Sequence, residues 1–151
     1  MPAPTIYLNG HLIAHDEAAI SVADHGLLYG HALFETIRTY QGKPFRINQH
    51  LQRLERGISE LDIPPCPYDL KAACTALINS NEICDGRIRI TLTAGEGPDG
   101  PDARPSSRPT VLITALPLET KPVVNFEHGY SAGISSVRRN SLSPASRLKT
   151  T

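Results

Sequence analysis

Apolar and polar positions recur along this chain with periods that assign most of it to strands and helices. Two short apolar runs, Thr5–Leu8 and His11–Ala14, flank Asn9-Gly10. Asn-Gly suits a type I′ turn, where both central residues take positive φ, so the segment predicts a β-hairpin. Ala32–Tyr40, ALFETIRTY, is rich in β-branched and aromatic residues. Gln41-Gly42-Lys43-Pro44 then turns it into a second strand over 45–47. From Asn48 onward Leu51, Leu54, Ile58 and Leu61 form one apolar stripe at helical spacing, with Asn48 as N-cap and Pro64-Pro65 as the stop. A second helix is expected over 68–81, with Pro67 at its start and Leu70, Cys74, Leu77 and Ile78 facing inward. Residues 87–94, RIRITLTA, alternate strictly, as a half-buried strand does. Residues 110–116, TVLITAL, are apolar on both faces and suit a central strand. Between them 95–109 reads as a long Gly/Pro loop, and 130–137 as a last strand. Strands, two helices, then strands give an α+β fold: two layers, a largely antiparallel sheet with two packed helices.

Composition narrows the function. The chain has 151 residues, 40% hydrophobic and 20% charged, with Lys+Arg 15 balancing Asp+Glu 15. A neutral balance offers no electrostatic footprint for nucleic acid or an anionic membrane, so neither is expected as a partner. No apolar run approaches the ~18 residues of a membrane span. Cys66, Cys74 and Cys84 are an odd set with no Cys-x-x-Cys, which fits reduced thiols in a cytoplasmic protein better than a disulfide framework, and no metal site is expected.

Several motifs fail on spacing. Gly95-Glu96-Gly97 lacks the helix start that a phosphate cradle needs. His25 and His31 are not at i,i+4, and Asp24 and His25 are neighbours that point apart on an extended segment. The C-terminal stretch is different: Arg138, Arg139, Arg147 and Lys149 are four cations with no acidic residue among them. Schiff-base chemistry needs a neutral amine, and cationic neighbours work against an ammonium.

Taken in order, DHGLLYG at 24–30, LFETIR at 33–38, GKPF at 42–45, HLQRL at 50–54, RIRIT at 87–91 and Arg139-Asn140 through Lys149-Thr150-Thr151 resemble the N-terminal part of class IV (fold type IV) pyridoxal-phosphate enzymes. That family holds branched-chain aminotransferases, D-amino-acid aminotransferases and aminodeoxychorismate lyases. The resemblance implies that Lys149 is the catalytic lysine, bonding pyridoxal 5'-phosphate and shuttling the Cα proton. It implies that Arg53 holds the cofactor phosphate, and that Tyr29, Phe34, Arg38 and Arg89 line the substrate pocket. Amino-acid and 2-oxo-acid substrates and a homodimer are implied as well.

Two positions depart from the branches. Ala94 stands where the D-amino-acid branch carries an arginine, and Thr36 where the branched-chain branch usually has glycine. The implied reading is a branched-chain-like aminotransferase, with a pyruvate-releasing lyase as the alternative. In the family a second, larger domain follows the lysine. The expected division is therefore a small α+β domain over 1–120 and a linker with the start of the second domain over 121–151. A catalytically incomplete fragment or partner subunit is the remaining alternative, and the 151 residues alone are expected to be inactive.

Overall fold

The computed structural model describes residues 4–100, 108–118, 129–137 and 148–150. The opening hairpin forms as expected, β1 (Thr5–Leu8) and β2 (His11–Ala14), with Asn9 and Gly10 at φ 48° and 100°. A short helix α1 (His25–Tyr29) follows a 3-10 turn, and then come β3 (Ala32–Tyr40) and β4 (Lys43–Pro44). Two longer helices, α2 (Ile47–Glu60) and α3 (Leu70–Ser80), precede β5 (Gly86–Thr93) and β6 (Val111–Pro117). The strands make one sheet, ordered β2-β1-β6-β5-β3-β4, in which every ladder is antiparallel.

Alternation decides which residues meet the helices. Leu33, Glu35 and Ile37 of β3 lie opposite Leu92, Ile90 and Ile88 of β5, which lie opposite Val111, Ile113 and Ala115 of β6. These apolar residues, with Tyr7, pack against Leu54 of α2 and Ala73, Cys74, Leu77 and Ile78 of α3. Each such aliphatic or aromatic side chain contributes about 1.5–3 kcal/mol by leaving water. Glu35 is the one charged side chain in this inward register of β3.

Five expectations need correction. The strand that β3 turns into is Lys43–Pro44 and not 45–47, because Gln41 and Gly42, at φ 47° and 73°, already complete the turn and Ile47 belongs to helix α2. Helix α2 starts one residue before Asn48, and the residue ahead of it, Arg46, is in the left-handed region at φ 51° with no side-chain cap. Pro67 does not open α3; Asp69 does, accepting from the N–H groups of Lys71 and Ala72 at 3.0 Å each. Asp24 likewise caps α1 through Gly26 N–H at 2.7 Å, so 24–30 is a helical turn and not an extended segment. Residues 129–137 form no strand and are exposed. A strand needs a pairing partner, and none of the described strands pairs with them. Part of the 95–109 loop, 101–107, lies outside the described residues, as do Arg138, Arg139 and Arg147.

Candidate active site

A charge in the inward register of β3 must find donors or remain un-ionised. Glu35 is 1% exposed and finds them on α2, whose His50 and Arg53 are three residues apart and share a face. Arg53 donates Nε–H to Oε1 and Nη2–H to Oε2, both at 2.6 Å, a two-point fork. His50 Nδ1 lies 2.8 Å from Oε2. An ionised carboxylate only accepts, so the proton sits on Nδ1 and the ring is fixed in one tautomer or is charged. The 3.4 Å approach of Arg53 Nη2 to the same nitrogen is then a donor facing a donor, not a hydrogen bond. Burial pushes the Glu35 carboxyl up, but hydrogen bonds from Arg53 and His50 and the charges of Arg53 and Lys149 outweigh it and hold it below the usual range.

Lys149 reaches this carboxylate from the edge of the sheet. Pairing of β4 with β3 stops at Thr39 and Tyr40, which leaves the other end of that edge open. Residues 148–150 occupy it: Phe34 N–H donates to the Lys149 carbonyl at 2.9 Å, and Leu33 bridges to Thr150. From there Nζ lies 3.8 Å from Glu35 Oε2 and 5.0 Å from the Phe34 ring centroid. The Arg89 guanidinium also sits on that ring, at 4.0 Å. The sequence suggested cationic surroundings for Lys149. Among the described residues, the charge within ion-pair reach is instead the Glu35 carboxylate.

Four of the expected site residues therefore come together: Lys149, Arg53, Phe34 and Arg89. Arg38 shares the open face of the sheet with Phe34 and Arg89, two pairs beyond Arg89 along the ladder, and stacks on Tyr40 at 4.9 Å. Its Nη1 is buried without a hydrogen-bond partner among the described residues. Tyr29 is not drawn into the cluster. It donates its hydroxyl hydrogen to Asp99, accepts from Gly100 N–H at 3.2 Å, and packs edge-on against His25. That corner rests on Asp24, fully buried, whose Oδ2 accepts from the Thr93 and Thr110 hydroxyls at 2.8 and 2.6 Å. Gly26 is obligatory there, because a Cβ would stand 2.5 Å from Thr93 Cγ2.

Glu35 and His50 are the members that sequence reasoning missed. The signal was a charged residue between Leu33 and Ile37 on the core side of an alternating strand. The hollow at Lys149, lined by Phe34, Glu35, Arg53 and Gly57 among others, is only about 10 Å³. A larger hollow of about 370 Å³ opens by Cys66 and Tyr68, away from all the expected site residues. The chemistry outweighs the volume: a half-buried amine and a guanidinium anchored by one edge form a wall against which an anion-bearing carbonyl compound can lie.

The family model for amino-transferase class IV matches residues 32–151. A Methanocaldococcus jannaschii protein assigned as a branched-chain-amino-acid aminotransferase is 38% identical over 136 residues, 89% of this chain and 46% of that one. The aminodeoxychorismate lyase of Bacillus subtilis is 34% identical over 148 residues, 95% of this chain and 50% of that one. The branched-chain amino acid aminotransferase structure from Escherichia coli superposes with a TM-score of 0.81 at 27% identity, covering 98% of this chain and 50% of that one. The chain thus spans about half the length of the curated relatives it matches.

Proposed function

The chain belongs to the class IV aminotransferase family, and from that membership we propose that its protein is a pyridoxal-phosphate-dependent aminotransferase moving an amino group between an amino acid and a 2-oxo acid. The observation that carries the reading is the gathering of Lys149 and Arg53 on the single carboxylate of Glu35. The donor set suits the cofactor, which offers an aldehyde to an amine and a phosphate to a fixed cation. Arg53 spends two N–H groups on Glu35 and is 49% exposed, so further donors remain for phosphate oxygens. When bound, the cofactor ring acts as the electron sink for the pair released as Cα loses its proton.

The chain's own residues do the rest. Lys149, held by its carbonyl to Phe34 N–H, carries the amine that captures the cofactor and then takes and returns the proton at Cα. Arg38 and Arg89 receive the substrate carboxylate. The Nη1 of Arg38, buried and without a hydrogen-bond partner among the described residues, supports this, since such a donor calls for an acceptor. Phe34 lines the pocket between Lys149 and Arg89, and Tyr29 closes it from a neighbouring copy in a homodimer. Residues 1–120 form the small domain, and 121–151 lead into a second one. The enzyme works in the cytoplasm, consistent with free Cys66, Cys74 and Cys84. Among the described residues no helix is long and apolar enough to cross a membrane.

A branched-chain-like substrate is favoured by the archaeal and Escherichia coli relatives, and Ala94 supplies no arginine for a D-amino-acid carboxylate. Likeness to the Bacillus lyase over 95% of the chain favours the second reading, pyruvate release from aminodeoxychorismate. Product analysis separates the two: a 2-oxo acid with aminated cofactor, or pyruvate with the cofactor unchanged. Borohydride reduction of the complete protein and peptide mapping test the shared premise. The pyridoxyl group is expected on Lys149, and a label on Lys43, Lys71 or Lys121 instead would overturn it.

A further inference from the structure

Oε2 of Glu35 has three neighbours and room for few. Arg53 Nη2 and His50 Nδ1 occupy it at 2.6 and 2.8 Å, and Lys149 Nζ waits at 3.8 Å, beyond hydrogen-bond distance. Among the described residues, the charged and titratable groups around Nζ are Glu35 from β3, His50 and Arg53 from α2, and Arg89 from β5 across the Phe34 ring. With its oxygens filled by α2, the carboxylate attracts the lysine without binding it closely.

We propose that Glu35 and His50 are positioning residues for Lys149: Glu35 aims the amine from the sheet edge, and His50, by filling Oε2, keeps that carboxylate from seizing it. The same carboxylate orients Arg53, so the amine and the phosphate anchor share one frame. Glu35 thereby acts on cofactor affinity through Arg53 and on lysine placement directly. The inference rests on Lys149 being the reacting amine.

The two residues have opposite effects on Lys149, which a merely structural role does not give. In the complete protein without added cofactor, trace acetylation at one near-neutral pH is read by mass spectrometry as Lys149 relative to exposed Lys43 and Lys71. Glu35→Gln removes the opposite charge 3.8 Å from Nζ that holds the amine toward β3, so relative labelling of Lys149 should rise roughly threefold or more. His50→Ala frees Oε2 for a direct ion pair, so labelling should fall by a similar factor. With saturating pyridoxal phosphate, Glu35→Gln should still show reduced kcat. Unchanged labelling in both variants, or a rise in both, overturns the proposal. If Glu35→Gln does not fold, His50→Ala decides alone: a fall supports the proposal, and no change or a rise overturns it. Failure of wild type to capture pyridoxal phosphate at Lys149 would instead sink the proposed function, while the labelling ratios still decide the arrangement around Glu35.

Discussion

Ion pairing at Glu35 links proton binding to stability. Its carboxyl lies below its ordinary value near 4.5 in the folded protein. A carboxylate with a lowered folded value adds stability that is fully present above the unfolded value and is lost as pH falls through the folded one. Thermal midpoints of the wild type should therefore drop as pH falls below 4.5, and Glu35→Gln should drop less steeply there. Equal slopes would remove Glu35 from the acid transition. Arg53 is tied to the same pair. Arg53→Ala should weaken pyridoxal-phosphate binding by about one to two decades, with the rate recovering at saturating cofactor. It should also cost about 1–3 kcal/mol of stability without cofactor, because the buried carboxylate loses its fork. Fluorescence titration and denaturant unfolding read the two effects separately, and unchanged affinity would count against the phosphate role. Arg53 and Lys149 were legible as members of sequence motifs. Glu35 and His50 were not assigned a role, since their meaning depends on which way β3 faces and on the helix that crosses it.

Helix α2 holds Arg53 and His50 in place only because it lies close on β3. Gly57 makes that approach: a Cβ there would stand 2.8 Å from Leu33 Cδ1, and Leu33 is 2% exposed with little room to yield. Gly57→Ala gains about 1 kcal/mol of helix propensity but meets an overpacking cost of about 1–3 kcal/mol, so net destabilisation is expected. A lower urea midpoint together with weaker cofactor binding would confirm that α2 has been lifted from the sheet. A midpoint above wild type would mean that the contact relaxes freely. At this scale the periodic signals were reliable. The Leu51, Leu54 and Ile58 stripe faces the core, and the strict alternation of RIRITLTA gives the faces of β5 correctly. Helix starts were less legible, because Asp69 and Arg46 act through local backbone geometry that neighbouring proline or asparagine obscures. The edge contact at Thr150 was not visible at all: one bridge and one backbone hydrogen bond leave no periodicity to read.

Long-range order arises where the sequence is silent. Nothing in either segment says that Tyr7 pairs with Ile113, yet this pairing inserts β6 between β1 and β5 and brings the sheet together. The same limit applies to what lies beyond the sheet. Around α1, Val22 is 80%, Leu27 67%, Leu28 45% and Tyr29 50% exposed, an apolar cluster held outward by the Asp24 network and the tie from Tyr29 to Asp99. Grouped apolar exposure of this kind suits a protein contact better than water. Its member Tyr29 is one of the residues expected to line a substrate pocket but absent from the cluster around Lys149. Both facts are met if the α1 corner of one copy closes the site of another. The complete protein is then expected to sediment at twice its chain mass. Leu27→Asp combined with Leu28→Asp, which places charge on the exposed corner and leaves the buried network untouched, should shift it to the single-chain mass. Turnover should fall with the dimer fraction, while Lys149 still captures pyridoxal phosphate, since Arg53, Glu35 and Lys149 all come from one chain. A fully active monomer in sedimentation would show that Tyr29 serves no neighbouring site.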